Sequence, residues 1–115
     1  MKILQLNLYK KYFEAILNGT KRTEYRECTS YWKKRIEGRD YTHIRFRNGY
    51  KKIAPVMLIE YKGYNVEQDF NNSDAMNIVY RYALPIGKII SLENCDSMIS
   101  PKFLFNMKYN SIGDR

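Results

Sequence analysis

Residues 2–27 read KILQLNLYKKYFEAILNGTKRTEYRE, and this stretch decides the fold. In residues 2–8, Ile3, Leu4, Leu6 and Leu8 alternate with polar positions closely enough to predict a half-buried strand. From Tyr9 to Asn18 the period changes. Tyr12, Phe13, Ile16 and Leu17 fall on one apolar stripe, which predicts an amphipathic helix. Asn18-Gly19 stops it, because glycine takes the left-handed position after a helix without a steric penalty. Residues 22–27 then alternate again, with Thr23 and Tyr25 on one face and Glu24 and Arg26 on the other.

Downstream, Thr29 or Ser30 can cap a second short helix over Tyr31–Glu37, ended by Gly38. Alternation returns in YTHIRFR, residues 41–47, before the turn signal Asn48-Gly49. PVMLIEYKGYNV, residues 55–66, reads as one long strand in which Lys62-Gly63 marks a bend or bulge. NNSD, residues 71–74, is a polar loop, and residues 76–84 and 86–92 read as two strands broken at Pro85. The tail PKFLFNMKYN, residues 101–110, suits either a strand or a packed helix. With so few helices to cover about six strands, the expected architecture is α+β. A small, mostly antiparallel β-barrel with two short helices near the N-terminus is the natural form.

The chain has 115 residues, which fits one domain spanning 1–115. A hydrophobic fraction of 44% supports a packed core and argues against disorder. No stretch reaches the roughly 20 apolar residues of a membrane span. The amphipathic N-terminus is not a secretory leader, so the expected location is cytoplasmic. The Lys, Asn, Ile and Tyr content fits an AT-rich bacterial or phage genome. Cys28 and Cys95 are too few for a disulfide framework, and a single histidine without CxxC or HxxxH spacing predicts no metal site and no cofactor.

Net charge is +8, unevenly placed. Fourteen of the 20 Lys and Arg residues, but only five of the 12 acidic ones, fall in residues 1–52. That asymmetry fits a positive face for a polyanion, or ordinary solvated faces; charge alone does not choose.

Within eight residues, Gly19, Lys21, Glu24 and Arg26 combine a turn, a mobile ammonium, a carboxylate and a planar guanidinium fork. Lys21 and Arg26 suit phosphate or a base edge. An exposed ion pair, worth about 0–1 kcal/mol, is the alternative reading of the same charges. The pattern Gly19-x-Lys21-x-x-Glu24-x-Arg26, after a strand and an amphipathic helix, resembles the G-x-K-x-x-E-x-R motif of ASCH domains, a family of the PUA-like superfamily. The strand KILQLNL, the helix YFEAILNG and the helix YWKKRI extend the resemblance over residues 1–65.

The resemblance implies a PUA-like pseudo-barrel with a cleft beside the first helix, and an RNA or nucleotide partner. Some members cleave RNA, and one branch hydrolyses the acyl amide of acetylcytidine. In that branch the matching lysine works with a threonine and with a glutamate from a later strand. Here the threonine position is Glu24, and Thr23 lies one residue earlier, on the opposite strand face. Glu60 is the candidate later glutamate.

Other residues extend the candidate interface. Trp32 reads as a stacking platform or as a core anchor, and the usual burial of tryptophan favours the anchor. Lys33, Lys34 and Arg35 would contact phosphates if their helix borders the cleft, and Arg45 and Arg47 would extend the basic face. Three functions follow in order: an RNA-binding module; a metal-independent hydrolase of RNA or a modified nucleoside, with Lys21, Glu24 and Glu60 as catalytic candidates; and a protein-interaction domain, for example phage-encoded.

Overall fold

The computed structural model describes residues 1–72 and 77–98. The NNSD loop lies partly outside the described residues, and the PKFLFNMKYN tail wholly so. In chain order the elements are β1 (Ile3–Asn7), α1 (Lys10–Leu17), β2 (Thr23–Glu27), α2 (Ser30–Ile36), β3 (His43–Arg47), β4 (Val56–Tyr61), β5 (Asn65–Gln68) and β6 (Tyr80–Glu93). A short 3-10 turn, Asp96–Met98, follows.

The strands form one curled sheet in the order β1-β3-β4-β6-β2, with β5 also on β6. Among the described residues only β1 and β3 pair in parallel; the other pairings are antiparallel. The fold is therefore the expected small α+β half-barrel with two helices. Its concave side holds the core. Leu4 and Leu6 of β1, Ile44 and Phe46 of β3, Met57 and Ile59 of β4, and Leu84 of β6 pack against Phe13, Ile16 and Leu17 of α1 and Ile36 of α2. Each fully buried side chain of this kind stabilises the fold by about 1.5–3 kcal/mol relative to exposure. Tyr12 departs from the predicted apolar stripe: it is part-exposed and turns into a cleft rather than the core.

Two strand boundaries differ from the sequence expectation. The long strand over 55–66 is two strands, because Lys62-Gly63-Tyr64 is a corner at which the chain leaves its pairing with β3, and β5 then continues along β6, the strand that β4 also pairs with. Conversely, residues 76–84 and 86–92 are not broken at Pro85; β6 runs unbroken from Tyr80 to Glu93. The Ile86 N–H donates to the Arg22 carbonyl at 2.9 Å, so the neighbouring Pro85 nitrogen faces away from β2. On that other edge, β5 pairing ends at Ala83 and β4 pairing begins at Ile86, and the proline fills the gap where no donor is needed.

Gly87 is required by close approach. A Cβ there would lie 2.4 Å from the Glu60 carbonyl oxygen and 2.9 Å from the Glu60 Cβ, where β4 shifts register against β6. The absence of a side chain lets β6 cross β4 at this point.

Candidate functional site

The end of α1 sets the first functional side chain. Gly19 adopts φ +80°, its N–H donates to the Ile16 carbonyl, and the Thr20 N–H donates to the Ala15 carbonyl. This pair of bonds is the Schellman closure of a helix. The Lys21 N–H also donates to Ala15 O at 3.0 Å, so the backbone of Lys21 is tied to the helix end. Its ammonium then lies over two rings, 5.4 Å from the Tyr12 centroid and 5.2 Å from that of Tyr25. Such cation–π contacts contribute about 0.5–1 kcal/mol each at part-exposed sites.

Strand alternation sets the next two. Glu24 and Arg26 share the inner face of β2, as the period predicts, while Tyr25 points outward. Glu24 is buried, at 6% exposure. A buried carboxylate is costly unless paired, and Glu24 is paired twice. Its Oε2 accepts from an Arg26 terminal nitrogen at 2.7 Å, and its Oε1 lies 3.5 Å from the Lys21 ammonium. The same Arg26 nitrogen donates to the Asn7 carbonyl at 2.9 Å and so links the edge strands β1 and β2. The Arg26 guanidinium also stacks on Trp32 at 4.9 Å, and its Nε is buried without a hydrogen-bond partner among the described residues.

These residues line a cleft of about 930 Å³. Its walls come from the β1–α1 junction, the first turn of α1, β2, the turn after β3, and β6. Lys21, Glu24 and Arg26 meet there with Tyr9, Tyr12, Tyr25 and Tyr50, and with Asn7, Asn48 and Arg81. The turn is fastened to the junction: the Asn48 side chain donates to Leu8 O at 2.9 Å, and the Gly49 N–H donates to the Asn7 side chain at 2.8 Å.

Arg81 escaped the sequence reading. Its guanidinium stacks 3.7 Å from the Tyr25 centroid and donates twice to Glu67 of β5, at 2.9 and 2.7 Å. Asp69 lies 3.9 Å away. The Glu67 hydrogen bond raises the guanidinium's already high pKa further. With its charge matched by two carboxylates, Arg81 serves chiefly to brace Tyr25. The tyrosines escaped too, because they converge only through long-range pairing; the sequence signal was limited to their abundance.

The remaining candidates are placed elsewhere. Gly19 borders a separate hollow of about 200 Å³ on the far side of Lys21, with Ile86 and Gly87. Trp32 packs partly on the core and backs Arg26 rather than lining the cleft. Lys33 and Lys34 are exposed on α2, and Arg35 is held over Tyr31 at 3.3 Å; none lines the cleft. Arg45 and Arg47 lie on the opposite face of β3 from Ile44 and Phe46. Arg47 donates to the Gly49 and Lys51 carbonyls, so it shapes the turn that walls the cleft. Glu60 lies on β4, pairs with Lys62 at 3.1 Å and does not line the cleft. Cys28 is exposed to solvent, and partial desolvation of its thiol raises its pKa, the opposite of an activated nucleophile.

Chemically, the centre is a buried carboxylate that fixes two cations beside aromatic rings. Both carboxylate oxygens already face cations, which makes Glu24 an orienting acceptor for Lys21 and Arg26. Among the described residues, no group of three His, Cys, Asp or Glu side chains is arranged to hold a metal ion, and no helix is long and apolar enough to cross a membrane. Compared with known proteins, the chain matches no family model, no curated protein and no solved structure.

Proposed function

We propose that this chain is an RNA-binding module of the ASCH, PUA-like type, taking RNA or a nucleotide into the cleft lined by Lys21, Glu24 and Arg26. The observation that carries this reading is the fixed pair of cations on a buried carboxylate, in a cleft of about 930 Å³ ringed by four tyrosines. Phosphate would meet Lys21 and Arg26, and a base would stack on Tyr12 or Tyr25. Glu24 holds the two cations before the ligand arrives, which limits the ordering cost on binding.

Filter binding of RNA at two salt concentrations tests the reading. Affinity should fall steeply with salt, and Lys21→Ala should weaken binding and reduce the log–log salt slope by about 0.7. An absence of RNA affinity at low salt refutes it.

A hydrolase of RNA or of acetylcytidine is the second reading, favoured by the Lys21 ammonium 3.5 Å from a buried carboxylate. In it Lys21 would stabilise a developing oxyanion and Arg26 would clamp the substrate. Glu60 has no part in this version, since it lies outside the cleft. Incubation with acetylcytidine and with labelled RNA, beside Lys21→Ala, decides it; turnover that survives the substitution removes Lys21 from the chemistry.

A further inference from the structure

Tyr9 and Tyr50 line the cleft, yet they are 81% and 90% exposed, so their rings stand at its mouth rather than in its floor. Neither is on a loose element. Tyr9 immediately precedes α1, and its carbonyl accepts from the Tyr12 and Phe13 N–H groups at 3.1 and 3.0 Å. Tyr50 sits in the turn after β3, which Arg47 holds from within and Asn7 and Asn48 fasten to the β1–α1 junction. Beyond Tyr50 come Lys51 and Lys52, both exposed, and neither has an acidic partner among the described residues.

A mononucleotide bound as proposed, with phosphate on Lys21 and Arg26 and its base on Tyr12 or Tyr25, assigns no contact to Tyr9, Tyr50, Lys51 or Lys52. Exposed rings on a fixed backbone, followed by unpaired ammonium groups, match the alternating bases and phosphates of a polynucleotide. They match it only where bases are unstacked, because an A-form duplex hides its base faces within the helix. We infer that the ligand is an unpaired stretch of RNA that leaves the cleft past Tyr9 and Tyr50 and continues over Lys51 and Lys52. This inference rests on the RNA-binding reading of the cleft and adds the form and path of the ligand.

Fluorescence anisotropy of labelled octauridylate on the whole chain, with unlabelled competitors, tests it. Octauridylate should bind far more tightly than uridine monophosphate, and a GC-rich RNA duplex of the same length should compete poorly. Lys51→Ala with Lys52→Ala should lower the octauridylate salt slope by about 1.4 and leave the monophosphate unchanged. Tyr50→Ala should weaken octauridylate about tenfold, and Tyr50→Phe should restore it; circular dichroism of each variant confirms the fold. Equal affinity for monophosphate and octamer, full competition by the duplex, or an unchanged slope in the lysine variant overturns the path while leaving the cleft reading intact. Failure of every probe to bind the parent protein at low salt overturns both.

Discussion

Replacing Glu24 with glutamine isolates the charge at the centre of the cleft. Glutamine keeps the shape and can still accept one hydrogen bond, so Glu24→Gln removes little except the negative charge. What remains is Lys21 and Arg26 side by side, with side-chain exposures of only 20% and 18%, and no counter-ion between them. Breaking a fully buried pair costs about 3–5 kcal/mol. Here partial solvent access to both cations reduces that to about 2–4 kcal/mol. For a chain of this size one kcal/mol moves Tm by about 4 °C, so Tm should drop by about 8–16 °C. Arg26 also loses the partner that aims it at the Asn7 carbonyl, so β1 and β2 should part more readily. Scanning calorimetry with a parallel guanidinium titration measures the effect, and an unchanged m-value confirms that the fold is intact. A Tm within about 1 °C of the parent refutes the view that Glu24 is the counter-ion holding the two cations.

Two further predictions concern the sheet. Gly87→Ala forces a Cβ to within 2.4 Å of the Glu60 carbonyl oxygen; it should lower stability by about 1–3 kcal/mol, read as a shift in the denaturation midpoint, and an unshifted midpoint would mean that β4 and β6 separate freely. Burial, and secondarily the hydrogen bond to Glu37, raises the Tyr82 phenol well above its ordinary range, and burial raises that of Tyr61. A group whose pKa is raised on folding contributes its stability in full below its unfolded value, about 10 for tyrosine, and loses it as pH climbs further. Urea stability should therefore begin to decline above about pH 8.5, where the thiols of Cys28 and Cys95, both raised on folding, start to ionise in the unfolded chain, and fall more steeply above about pH 10 as the two tyrosines follow. Tyr82→Phe should lower the plateau through loss of the Glu37 bond and flatten the alkaline fall; the same alkaline slope in both proteins would exclude Tyr82 as its source.

The strand–helix–strand start was legible because two periods meet in it. Alternation placed Leu4 and Leu6 inward and put Glu24 and Arg26 together on one face without saying that the face is the inner one, and helical spacing placed Phe13, Ile16 and Leu17. The cap at Thr29, whose hydroxyl accepts from the Trp32 N–H, was equally local. Pro85 misled because its tolerance depends on which neighbours β6 has on its far edge, a fact of pairing that the local sequence does not hold. Tyr12 misled for a similar reason: its place on the helix was right, but the space beside it is a cleft, defined by a turn near residue 50. Half of the candidate site, Lys21, Glu24 and Arg26, could be read from one turn and the strand that follows it. The other half could not, since Tyr9, Tyr50 and Arg81 meet it only through pairings that span most of the chain. Glu60 faced the same problem in reverse, because being on a nearby strand does not bring a side chain to the cleft.

The pairing of β2 has a consequence for the order of assembly. Among the described residues its sheet neighbour is β6 alone, so residues 23–27 wait for residues 80–93 before they have that main-chain partner. Loop-closure entropy makes such distant pairings late events. A nascent chain, growing at about 5–20 residues per second, carries Lys21, Glu24 and Arg26 for several seconds before β6 exists to pair with β2. A chain cut before Tyr80 retains the whole sequence motif and none of the strand that gives it shape. The site is thus among the last parts of the molecule to come into being, although its residues are among the first to be made.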